Sequence, residues 1–167
     1  AESSNGIKVD TTYTPEIVPV TPTATPAETT DIQGATQTGK PEFKGGTVTV
    51  DGVEKTVAIN EAVPATFDDG STTKTVDGVG TYTVAADGTV TFVPEKSFVG
   101  TAPAVTVVRE DKNGTKASAT YTPTVTPVKP TAAPAESTDV QGATQTGKPV
   151  FTEGDSRVPM NDAVPAT

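Results

Sequence analysis

The chain contains no cysteine, histidine, tryptophan or leucine in its 167 residues, and one methionine. Without cysteine there is neither a disulfide staple nor a thiol nucleophile. Without histidine there is no imidazole base and no histidine metal ligand, so a Ser–His–Asp triad is impossible. Cationic side chains are scarce: 12 Lys and Arg stand against 21 Asp and Glu, for a net charge of −9. That balance offers no patch to neutralise nucleic-acid phosphates and no attraction to anionic lipid, so neither nucleic acid nor membrane is expected as a partner. No apolar run approaches the ~20 residues needed to span a bilayer. No signal peptide is present either, so any export signal is expected outside this stretch.

What the chain does contain is threonine, 34 residues of it, with valine as the dominant apolar type. Val, Ile and Phe make up about 24% of residues 43–121 but about 15% of the remainder. The middle has enough apolar surface for a modest core, while the flanks have little to offset their own ordering entropy.

The strongest signal is an internal repeat. Residues 5–43 (NGIKVDTTYTPEIVPVTPTATPAETTDIQGATQTGKPEF) recur at 113–151 (NGTKASATYTPTVTPVKPTAAPAESTDVQGATQTGKPVF), an offset of 108 with 27 of 39 positions identical. AVPAT recurs at 62–66 and 163–167 with an offset of 101, so the second copy is shorter by seven residues there. A period this long exceeds the roughly 20–50 residues of solenoid repeats and implies domains in series. The expected division is the end of a preceding repeat plus Thr/Pro linker over 1–30, an intact repeat over 31–126, a linker over 127–136, and the beginning of an incomplete repeat over 137–167. The partial copies are expected to be poorly ordered alone, unless one adds a strand to the intact unit's edge. Prolines 15, 19, 22 and 26, then 123, 127, 130 and 134, recur every three or four positions. Fixed φ and missing donors favour an extended, semi-rigid polyproline spacer over Thr14–Thr30 and Thr122–Glu136.

Within the intact repeat no helical apolar period persists, so strands are expected. Across Thr81–Val93, a three-residue loop at Ala86-Asp87-Gly88 sets Tyr82 opposite Phe92 and Val84 opposite Val90. The same loop length at Lys112-Asn113-Gly114 sets Val105 opposite Tyr121 and Val107 opposite Ala119. A third hairpin turns at Asp51-Gly52 with Val50 opposite Val53. Strands near 47–50, 53–59, 73–76, 80–85, 89–93, 104–109 and 115–122 give an all-β, single β-sandwich-like repeat domain with extended Thr/Pro-rich flanking linkers.

Candidate chemistry is thin. The carboxylate pairs Asp68-Asp69 and Glu110-Asp111 adjoin turn signals, where acidic residues are ordinary. Asp68-Asp69-Gly70 with Asp77 lacks the spacing of a Ca²⁺ loop. Lys40, Lys44 or Lys55 could supply the amine of a Lys–Asn isopeptide bond to Asn60 or Asn113, but Asn113 is claimed by a turn. No catalytic, cofactor-binding or metal-binding residue is assigned, and no enzyme activity is expected.

The run STTKTVDGVGTYTVAADGTVTFVPEKSFVGTAPAVTVVREDKNGTKASATYTPTV (71–125), preceded by DIQGATQTGKP (31–41), resembles the repeat of CshA-type fibrillar adhesins of streptococci. The resemblance covers essentially the whole chain. It implies a stalk repeat between an N-terminal ligand-binding region and a sortase-anchored C-terminus, secreted and displayed on the cell wall. No LPxTG-like sorting signal occurs, as expected of an internal slice. The implied partners are neighbouring repeats and, through the full-length protein, host surface glycoproteins. The alternative is a repeat that itself binds a host glycoprotein or self-associates between cells.

Overall fold

The computed structural model describes residues 1–167, and its regular elements are all strands. In chain order they are β1 (Thr23–Thr25), β2 (Ala27–Ile32), β3 (Gln37–Gly39), β4 (Glu42–Lys44), β5 (Gly46–Val50), β6 (Val53–Val57), β7 (Thr66–Phe67) and β8 (Thr73–Val76). There follow β9 (Gly80–Val84), β10 (Val90–Pro94), β11 (Gly100–Thr101), β12 (Val105–Glu110), β13 (Lys116–Thr126), β14 (Thr131–Ala133) and β15 (Val150–Thr152).

Two sheets form the central unit. One runs β3-β10-β9-β8; the other runs β11-β13-β12-β7 with β2 added on β13. Alternation along the strands sends Tyr82, Val84, Val90 and Phe92 inward from the first sheet. Phe67, Val105, Val107, Tyr121 and Val125 meet them from the second, closing one core. Tyr82 and Phe92 pack with ring centroids 4.6 Å apart. All 24 buried residues lie between Pro22 and Val125. The outward positions are largely Thr, and Thr47–Thr56, Thr75–Thr81 and Thr101–Thr124 join hydroxyls across neighbouring strands at 3.1–3.2 Å.

The hairpin arithmetic holds. Phe92 pairs with Tyr82 and Val90 with Val84; Tyr121 pairs with Val105 and Ala119 with Val107; Val50 pairs with Val53. Both three-residue loops close alike, Ala85 N–H on Thr89 O at 2.8 Å and Asp111 N–H on Thr115 O at 2.9 Å. Gly88 (φ +90°) and Gly114 (φ +80°) occupy the left-handed position that this turn demands.

Strands enter both stretches read as spacer: β1 and β2 at 23–32, and β13 and β14 at 122–126 and 131–133. Residues 14–22 carry no strand. β1 pairs antiparallel with β4, and β2 pairs parallel with β13 from Ala27 beside Tyr121 to Ile32 beside Thr126. Composition hid them because Thr serves a strand as readily as a spacer, while the prolines sit where no ladder donor is needed. Pro26 lies between β1 and β2. Pro123 lies where the other side of β13 passes from β12 to β11, and its carbonyl accepts the Ala102 N–H at 2.9 Å.

The second copy repeats this start. β14 pairs with β15 as β1 pairs with β4, 108 residues on. An added Cβ on Gly46 would strike Thr21 O at 2.4 Å, and one on Gly154 would strike Lys129 O at 2.3 Å, the same close approach in both copies. Its seven missing residues fall in one place. The exposed β5–β6 hairpin is replaced by a tight turn at Asp155–Val158. The second copy thus forms its opening strands, which pair with each other before any later strand is required.

Candidate functional site

Two constellations stand out, one inside the unit and one between the copies. Inside, β2, β3 and β13 are tied by a buried polar knot. The Gln37 side-chain amide donates to Thr124 O at 2.9 Å, and the Thr29 hydroxyl donates to Gln37 Oε1 at 2.6 Å. The Tyr121 hydroxyl, 2.7 Å away, then donates to Thr29 Oγ1. Every member has a partner, as a buried polar network requires. Burial pushes the Tyr121 phenol above its ordinary pKa. Gly39 makes room for the tyrosine, since a Cβ there would lie 2.2 Å from Tyr121 Cε2.

Between the copies, the turn after β2 meets the segment after β13. The Gln33 N–H donates to Thr126 O at 2.8 Å, its side-chain amide to Lys96 O at 2.8 Å, and its Oε1 accepts the Val128 N–H at 3.3 Å. From the next copy, Arg157 reaches back to Asp31 at 2.9 Å while also holding Asp155 at 3.3 Å. The Ile32 N–H and Arg157 keep the Asp31 carboxyl below its usual range. The cleft at this joint has a volume of 520 Å³ and is lined by Ile32, Lys96, Val128 and Pro159 among others. Only residues 127–130 separate β13 from β14.

The carboxylates singled out from sequence serve turns. Asp68 pairs with Lys74, and Asp69 accepts from both the backbone and hydroxyl of Ser71 at 2.9 and 2.7 Å. Lys74 lies 3.4 Å from Asp69 and 5.5 Å from the Phe67 ring centroid, so its ammonium occupies the side of the turn where a cation would sit. Asp111 is fully buried, its Oδ1 accepting the Asn113 and Thr115 N–H groups at 2.9 Å. No group of three or more acidic side chains converges to hold a metal. Lys40 pairs with Asp87 at 2.8 Å and Lys44 faces Glu42 at 3.7 Å. Asn60 Oδ1 accepts the Ala62 N–H at 3.2 Å in a turn. The roles of Thr29, Gln33, Gln37 and Arg157 are not legible in the sequence by itself. Its available signal was the run QGATQTGKP, identical at 33–41 and 141–149, which a free spacer does not need.

Sandwich, tandem copies and close joint together define an all-β structural repeat module. The chain matches the family model described as the surface adhesin CshA repetitive domain over residues 19–125 and again over 127–167, and it belongs to that family. The chain is also similar to repeat domain 13 of the fibrillar adhesin CshA from Streptococcus gordonii, solved by NMR. The two share 60% identity over 40% of this chain and 86% of that one, with a TM-score of 0.24. The family assignment rests on sequence. No curated protein matches. Membership in a family of adhesin repeats makes the module structural and not an enzyme.

Proposed function

We propose that the chain is a stalk segment of a Gram-positive cell-surface fibrillar adhesin, holding an N-terminal ligand-binding region away from the cell wall. The observation that carries this reading is the parallel pairing of β2 with β13. Parallel first and last strands bring the chain in at one pole of the sandwich and out at the other, which is how copies extend end to end. Antiparallel ends would return the chain to the pole it came from. The four-residue joint and the Asp31–Arg157 pair limit how far successive copies can swing. A cell-wall-associated location follows from the same reading.

Small-angle scattering on proteins of one, two and three repeats tests it. Maximum dimension should rise nearly linearly with repeat number. A dimension growing only as the square root of repeat number, as for a flexible string, would remove the stalk. Micromolar binding of a host glycoprotein by one isolated repeat would favour an adhesive role for the repeat itself.

A further inference from the structure

We propose that the β2–β13 pair is a shear clamp that makes each repeat resistant to tension, with the Thr29–Tyr121–Gln37 knot as its lock. The proposal rests on the stalk reading, because only a chain pulled through its two ends loads this pair. Tension enters through β1 and β2 and leaves through the end of β13. At the first pole Ala27 lies beside Tyr121, and at the other Ile32 lies beside Thr126. The two pulls therefore run along the strands in opposite senses. The hydrogen bonds of the ladder lie across the strands, so all six register pairs from Ala27 to Ile32 are strained at once. Were the strands antiparallel, the same pull would open them one pair at a time.

The side chains reinforce this direction. Tyr121 on β13 bonds Thr29 on β2, and Gln37 on β3 bonds both Thr29 and the Thr124 carbonyl of β13. Sliding β2 along β13 by one residue breaks both bonds of Thr29, to Tyr121 and to Gln37, and drives polar groups into the core beside Val125. Tyr121 also lies against Gly39, so its ring cannot follow the slide without meeting β3. β2 has no second strand beside it, which leaves this one ladder as its attachment to the sheet.

The absence of cysteine allows the test to be made on the full chain with paired cysteine handles. In single-molecule stretching, handles at Ala1→Cys and Thr167→Cys load the clamp in shear. Handles at Thr21→Cys and Asn113→Cys pull β2 and the start of β13 from the same pole and peel them apart. At equal loading rate, the end-to-end pull should need roughly twofold or more the unfolding force, since six pairs share the load instead of one. The end-to-end event should release roughly 350 Å of contour, less the folded length, for the 100 residues from 27 to 126. Tyr121→Phe should lower the end-to-end force, whereas Phe67→Leu, on β7 at the opposite edge of the sheet, should lower thermal stability and leave that force unchanged. Equal forces in both pulling directions overturn the clamp, as does a force that follows thermal stability equally in both variants. Either failure leaves the scattering test of the stalk untouched, so the two ideas fall separately.

Discussion

Gly39→Ala and Gly147→Ala make the same change within the same words, QGATQTGKP, in two different tertiary settings. At position 39 the new methyl would stand 2.2, 2.6 and 3.2 Å from three ring carbons of Tyr121. The ring is fully buried, so relief requires β3 to shift or Tyr121 to leave its rotamer and its bond to Thr29. Overpacking of this kind costs about 1–3 kcal/mol, and the smaller entropy loss of Ala on folding returns about 0.4–1 kcal/mol at most. A net loss near 2 kcal/mol lowers Tm by roughly 8–16 °C for a domain of about this size. At position 147 the methyl meets only Ala135 Cβ, at an ordinary 3.5 Å, with no tyrosine ring beside it. Gly147→Ala should therefore leave the main transition where it is. Calorimetry or thermal circular dichroism on the full chain reads both. In a Tyr121→Val background, where the ring is gone, Gly39→Ala should cost much less, a coupling expected of residues in contact. Equal effects of the two glycine variants, or no loss from Gly39→Ala, would refute the packing argument.

Phe92→Ala empties the centre of the core and should destabilise by about 3–5 kcal/mol, enough to lower Tm steeply in the same assay. Replacing Thr47–Thr56 with the Asp-Ser-Arg of 155–157 should leave the main transition nearly unchanged, because β5 and β6 pair only with each other and the second copy already has the short form. Arg157→Gln should leave Tm unaltered but broaden the angle between copies, read as a loss of maximum dimension in scattering from the full chain. Stability should be flat near neutrality and fall at both extremes of pH. Asp87, held down by Lys40 and Thr89, and Asp68, held down by Lys74, both titrate below the ordinary carboxylate value. Their contribution is complete above about pH 4 and is lost as pH falls through the lowered values. Tyr82 is pushed up to about 12, by burial first and by Tyr121 second. Its contribution is complete below the unfolded phenol's pKa of about 10 and is lost as pH rises toward 12. Denaturant midpoints measured from pH 2 to 12 check both limbs.

The hairpins were legible because their information is local. Tyr82 opposite Phe92 and Val105 opposite Tyr121 follow from period-two alternation and a loop whose left-handed residue is glycine. The repeat and its seven-residue deletion were equally visible, since they need only comparison of the chain with itself. β2 was not. Its six residues, AETTDI, contain two apolar side chains and follow a proline, and the pattern carries no strand signal until a partner is supplied. That partner, β13, comes about 90 residues later, and parallel pairing leaves no turn between the two strands to announce it. The buried roles of Thr29 and Gln37 were hidden for the same reason, because a polar side chain is read as exposed until its hydrogen-bond partners are in place.

Sequence alone determined the composition that excludes thiol and imidazole chemistry, the serial repeats, and the registers set by tight turns. The tertiary structure alone decided that the first and last strands of the unit lie side by side and parallel, and with that, where the chain enters and leaves. Turn residues act over a few positions, whereas the pairing of distant strands is settled only when the two sheets close over Tyr82, Phe92 and Tyr121.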